Sequence, residues 1–183
     1  MLQITIPEVE IFDEQTNEFK VLVEEQTLQL EHSLVSLSKW ESKWNKSFLS
    51  SSSKITEEET IDYIKCMTIT QHVKPEAYNY LTNDNIRQIQ EYISAPMTAT
   101  YFSEDGSKKG GREVVTAELI YYWMIALNIP FDPCQKWHLN RLLTLIRVCN
   151  IKNAPPKKRS RRDILSRNAQ LNAARRKQLN TRG

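Results

Sequence analysis

The chain has 183 residues with a formal net charge of +3, 40% hydrophobic and 26% charged, which suits one domain of ordinary size plus an appended segment and excludes two large domains or disorder throughout. Four glycines and seven prolines exclude a collagen-like or low-complexity chain, and three irregularly spaced cysteines, Cys66, Cys134 and Cys149, cannot form a fully paired disulfide framework, so a reducing compartment is expected. The charge is divided: residues 1–151 hold 14 Lys and Arg against 21 Asp and Glu, a balance of −7, and residues 152–183 hold 11 against one, Asp163, a balance of +10.

An acidic body with a basic terminal arm implies an anionic partner for the arm: nucleic acid, an acidic protein surface, or the body of a neighbouring copy. The first residues, MLQITIPEVEIFDE, carry acid where a secretory leader carries base. The longest apolar run, Leu119 to Leu127, is nine residues, about half of the roughly 20 that span a bilayer. Export and membrane insertion are therefore not expected, and an intracellular location is.

In chain order, Val9 to Glu14 and Phe19 to Val23 read as two short strands around the polar turn Gln15 to Glu18, with Leu2 to Ile6 as a third strand. Such a hairpin is marginal alone, so it must lie against the following helices or pair with another chain. From Ser33 the period changes: Leu34, Leu37, Trp40 and Trp44 follow a helix face while Lys39, Ser42 and Lys43 point elsewhere. Two indoles four residues apart suit either a core or a partner-binding patch. Ser50 to Ser53 is a polar linker, after which Thr56 and Glu59 have capping-box spacing for a helix with Ile61, Ile64 and Met67 on its inner face. The glutamates there suit the positive end of the helix dipole, and no histidine partner supports a metal role.

Pro75 to Tyr78 opens a helical turn, and Thr82 caps a helix with Ile86, Ile89 and Ile93 inward. Pro96 ends it, Met97 to Phe102 suit an extended segment, and Ser103 to Gly111 is a loop holding three of the four glycines. The Gly-Ser-Lys-Lys-Gly-Gly run lacks the spacing of a phosphate loop. Thr116 caps a helix from Ala117 to Asn128 that is apolar or aromatic on every side, which implies burial all round, centrally or in an interface. A further helix runs from about Cys134 to Asn150, with Leu139, Leu142, Leu143, Ile146 and Cys149 on one side, and these two helices are expected to form the core hairpin. Pro155 and Pro156 mark a joint, and Ser160 is placed to cap a helix from Arg161 to about Leu179 without a continuous apolar stripe. The expected fold is mainly α: a compact helical domain over residues 1–151 with a small N-terminal β-hairpin, and a basic C-terminal helical arm over residues 152–183.

The histidines His32, His72 and His138 and the three cysteines sit on different elements, and no spacing unites them as a catalytic set. Cys134 and His138, four apart, would share a helix face, but a structural zinc site needs four ligands. No catalytic residue, cofactor or metal is therefore expected. The run Pro156 to Arg162 suits nuclear import or phosphate binding, yet residues 152–183 contain no aromatic for base stacking and no known nucleic-acid motif accompanies them.

Five segments, Leu28 to Trp44, Tyr63 to Thr68, Pro96 to Thr100, Ile120 to Met124 and Trp137 to Cys149, together with Leu171 to Arg176 and Asn180 to Gly183, resemble a group of proteins from long-tailed bacteriophages that includes tail assembly chaperones. The likeness covers nearly the whole chain. It implies a non-enzymatic helper in the host cell cytoplasm that binds the tape-measure protein and tail tube subunits before the tube polymerises, and it carries over no catalytic residue. The expected partner-binding residues are Trp40, Trp44, Lys157, Lys158, Arg159, Arg161, Arg162, Arg175, Arg176 and Lys177. Self-association is a further partner class. A structural role in the tail or head-tail junction and nucleic-acid binding through the arm are the competing readings.

Overall fold

The computed structural model describes residues 1–15, 17–50, 55–102, 114–155 and 161–179. The chain divides into two units, Met1–Asn150 and Ile151–Gly183. Most of the expected serine linker, the Ser103 to Gly111 loop and Pro156 to Ser160, with Lys157, Lys158 and Arg159, lie outside the described residues.

The first unit begins with four strands that form two two-stranded sheets. Strands β2 (Val9–Asp13) and β3 (Glu18–Val23) make the expected hairpin, Phe12 opposite Phe19 and Val9 opposite Val23, with a register shift between Val9 and Glu10. Strand β1 (Leu2–Ile6) does not join them. It pairs antiparallel with β4 (Gln26–Leu30), Ile4 opposite Leu28. The alternation of these two strands decides the face: Ile4, Ile6, Leu28 and Leu30 point into the core, while Thr5 and Thr27 stay outside with their hydroxyls 3.3 Å apart.

Helix α1 (Leu34–Trp44) starts where the Ser33 hydroxyl accepts from the Ser36 N–H and stops at Asn45, whose φ of 52° is left-handed. Helix α2 (Glu57–Met67) has both arms of the Thr56–Glu59 capping box. After a 3₁₀ turn at Pro75–Tyr80, helix α3 (Asn83–Ser94) has a second such box, with Asn85 in the glutamate's place. Met97 to Phe102, expected to be extended, forms no strand: Met97 has a left-handed φ of 49°, which breaks the extended path.

Helix α4 (Ala117–Ala126) is capped by Thr116. The single helix expected from Cys134 is instead a short α5 (Phe131–Cys134) and a longer α6 (Leu139–Asn153), because residues 135–138 turn so that Ser33 and His138 can bridge. The α6 helix runs on past Asn150 and ends just before Pro155.

Two hydrophobic cores share α1. One joins Ile4, Ile6, Leu28 and Leu30 to Trp40, Tyr63, Ile64, Met67, Ile89 and Tyr92; the other joins Leu34 and Leu37 to Ile120, Met124, Leu139, Leu142 and Ile146. Phe48 packs against both. The expected two-helix hairpin of α4 and α6 is replaced by a three-helix core: both helices line it, and α1 packs directly against α4. Helices dominate the chain beside these small sheets.

The second unit contains helix α7 (Arg161–Leu179). Its described side chains are exposed, including Leu165, Leu171 and Leu179, and Arg176 and Lys177 lie in its last turn, where cations suit the negative end of the dipole.

Candidate partner-binding surfaces and a buried histidine pair

Sequence spacing leaves His32 and His138 unrelated, and the fold puts their rings 5.1 Å apart, edge to face. The cause is the backbone between β4 and α1: the Leu139 N–H donates to the His32 carbonyl at 2.7 Å, which ties the start of α6 to that turn. His32 Nδ1 shares a 2.6 Å hydrogen bond with the Tyr63 hydroxyl of α2. His138 donates through Nε2 to the Tyr92 carbonyl of α3 at 2.9 Å and accepts at Nδ1 from the Asn140 N–H at 3.3 Å. Both nitrogens of His138 are thus used by the neutral ring, and a second proton at Nδ1 would face an N–H donor. The Tyr92 hydroxyl donates to Glu31 Oε1 at 2.8 Å, and the Met1 ammonium lies 3.0 Å from Glu31 Oε2.

Burial, helped by the neighbouring His138, holds the His32 pKa down at about 4, and burial also lowers that of His138. The pair latches four elements together. Among the described residues no carboxylate or thiol is hydrogen-bonded to either ring: the Glu31 carboxylate is held by Tyr92 and the N-terminus, its charge favouring protonation of His138 without overcoming burial, and burial raises the Cys66 thiol so that it is less available as thiolate. His72 lies apart, exposed in a turn with φ 59°. Cys134 is buried, and with α5 ending there and α6 starting at Leu139 it does not share a helix face with His138. Among the described residues, no group of three or more His, Cys, Asp or Glu is placed to hold a metal ion.

Other buried polar groups join helix ends to helix sides. The Glu41 carboxylate, on α1, accepts from the Ala117 N–H at 2.7 Å and the Phe48 N–H at 3.0 Å, so it satisfies a donor that α4 leaves open at its first turn. Burial raises the Glu41 pKa in spite of these two bonds. Asp62 shows the opposite balance: burial opposes its ionisation, but the Lys43 ammonium and the Trp44 indole N–H, at 2.9 Å, outweigh it and hold the pKa low.

These contacts decide the two indoles. Trp40 is fully buried, donates from Nε1 to the Glu59 carbonyl at 2.8 Å, and meets Phe48 and Tyr63 edge to face. It therefore presents no surface to a partner, and the core reading holds for it. Trp44 is half-buried, with Lys43 over its ring at 5.7 Å. Of the basic residues, Arg162, Arg175, Arg176 and Lys177 lie exposed on α7, and Arg161 opens that helix.

The exposed apolar surface lies elsewhere. Ala117, Ile120 and Met124 of α4 face the core, but Tyr122 and Ile125 are 62% and 63% exposed. Burial on every side, expected from composition, therefore fails within the isolated chain, because three core positions suffice to hold this helix. Tyr122 and Ile125 are three apart and share a face with Glu118 and Ala126, also exposed. On the β2–β3 hairpin, Phe12, Phe19 and Val21 are 48%, 69% and 49% exposed. Cross-strand pairing of Phe12 with Phe19 and Glu10 with Val21 puts them on one side, the two Phe rings 5.2 Å apart. Between α2 and α3 a pocket of about 160 Å³ is lined by Phe48, Ile55, Ile64, Ile86, Ile89 and Ile93 among others.

Comparisons with family models, with curated proteins and with solved structures returned no match for this chain.

Proposed function

We propose that this protein is a non-enzymatic phage tail assembly chaperone that covers apolar helical segments of the tape-measure protein, and engages tail tube subunits, before the tube forms around the tape. The observation that carries the reading is the outward face of α4: Tyr122 and Ile125 stand well exposed on a helix whose opposite face, Ala117, Ile120 and Met124, is committed to the core. Large apolar side chains held on a rigid element are suited to receive an apolar helix, because the ordering cost of the surface has been met by folding. The half-buried Trp44 and Trp123 supply further amphipathic area. The resemblance of Ile120 to Met124 and Trp137 to Cys149 to long-tailed-phage proteins supports the same reading.

The His32 and His138 rings are held in structural hydrogen bonds. Cytoplasmic action in the infected host follows from the proposed role. Co-expression with the tape-measure protein of the same phage tests it: the tape protein's soluble yield should rise and the two should co-purify. An unchanged yield with no co-purification removes the reading, as does finding this protein in many copies in purified particles.

A further inference from the structure

The β2–β3 ribbon joins an uncovered aromatic face to a strong charge. Residues 8–25 carry seven acids, Glu8, Glu10, Asp13, Glu14, Glu18, Glu24 and Glu25, against the single base Lys20, a balance of −6. Among the described residues, the ribbon's ion pair is Lys20 with Asp13, and the six glutamates are exposed. Two such ribbons repel one another, so a homotypic ribbon contact is opposed. The complement is present in the same polypeptide: residues 152–183 carry +10 and one acid.

We propose that the ribbon is a self-association surface on which the α7 segment of a second copy of this chain docks, Leu171 against Phe12, Phe19 and Val21, with arginines meeting the flanking glutamates. A helix of 19 residues is about 28 Å long, longer than strands of five and six residues at roughly 17–20 Å, so only the part of α7 around Leu171 lies along the ribbon. A solvated helix of this length with no continuous apolar stripe is marginal on its own, so docking stabilises both parts. Arms exchanged reciprocally close a two-fold dimer, whereas one-way docking builds chains.

The test uses the full chain and its charge-swapped variants in sedimentation velocity. The wild type should self-associate, and its dissociation constant should rise at least about tenfold between about 0.05 and about 0.5 M salt. Glu10→Lys with Glu18→Lys should lose association, and so should Arg175→Glu with Arg176→Glu. A mixture of the two variants restores oppositely charged surfaces and should recover it. All four positions are exposed, and circular dichroism checks that the variants fold. A monomeric wild type, association indifferent to salt or to the α7 variant, or failure of the mixture to associate each overturns the proposal.

Discussion

Acid should weaken this fold through His32 before its carboxylates protonate. The unfolded chain binds a proton on that ring at about 6.5, and burial in the fold holds the same event to about 4. Between these values the unfolded state holds more protons, so stability rises with pH: the contribution is complete above about 6.5 and is lost as pH falls to about 4. At 1.36 kcal/mol for each pKa unit, the interval is worth about 3 kcal/mol, or roughly 1.5 M in a urea midpoint for an m-value near 2 kcal/mol/M. His138, also lowered by burial, acts in the same direction. Glu41 acts against it, since its raised pKa lets the folded state take up a proton first as pH falls. Asp62 and Glu59, held below their ordinary values, lose their contributions at lower pH. The assay is urea unfolding followed by circular dichroism from pH 7.5 to 4, for the wild type and His32→Asn, which keeps a polar atom near Nδ1 and does not titrate. The variant should be less stable at neutral pH and show a flatter decline on acidification. Parallel curves for the two proteins would refute the assignment of this slope to His32.

Truncation of the indoles should separate them: Trp40→Ala should cost about 3–5 kcal/mol as a core cavity with a lost hydrogen bond, and Trp44→Ala distinctly less, both measured by urea unfolding. Glu41→Ala leaves the buried Ala117 N–H and the part-buried Phe48 N–H without their acceptor and should cost about 2–4 kcal/mol, while Glu41→Gln, which retains one acceptor oxygen, should cost less. Thr56→Ala removes one arm of the α2 capping box and should lower stability by about 1 kcal/mol.

Much of the helical architecture was legible because it is written in local chemistry. Ser33, Thr56, Thr82 and Thr116 mark their helix starts by side-chain hydrogen bonds to the first turn. Strand β4 has no local marker in the sequence, although Gln26, Thr27, Leu28, Gln29 and Leu30 carry the alternation that buries Leu28 and Leu30, because its pairing residues in β1 are 20 to 28 positions away. The His32–His138 contact was illegible for the same reason, since a backbone bridge between Ser33 and His138 creates it. Composition made α4 appear buried all round, but hydrophobicity alone does not say whether neighbours exist to cover a fourth side. The exposure of Tyr122 and Ile125 is a property of the assembled fold.

The central claim is that the protein acts by lending the α4 surface to another polypeptide. Its most direct measurement is light scattering on complexes purified after co-expression with the tape-measure protein, comparing wild type with Tyr122→Ser and Ile125→Ser together. These exposed positions should leave the fold intact, and the paired change should reduce affinity at least about tenfold, as expected for loss of an aromatic anchor. A complex of unchanged mass and affinity with the variant, or no complex with the wild type, would contradict the account.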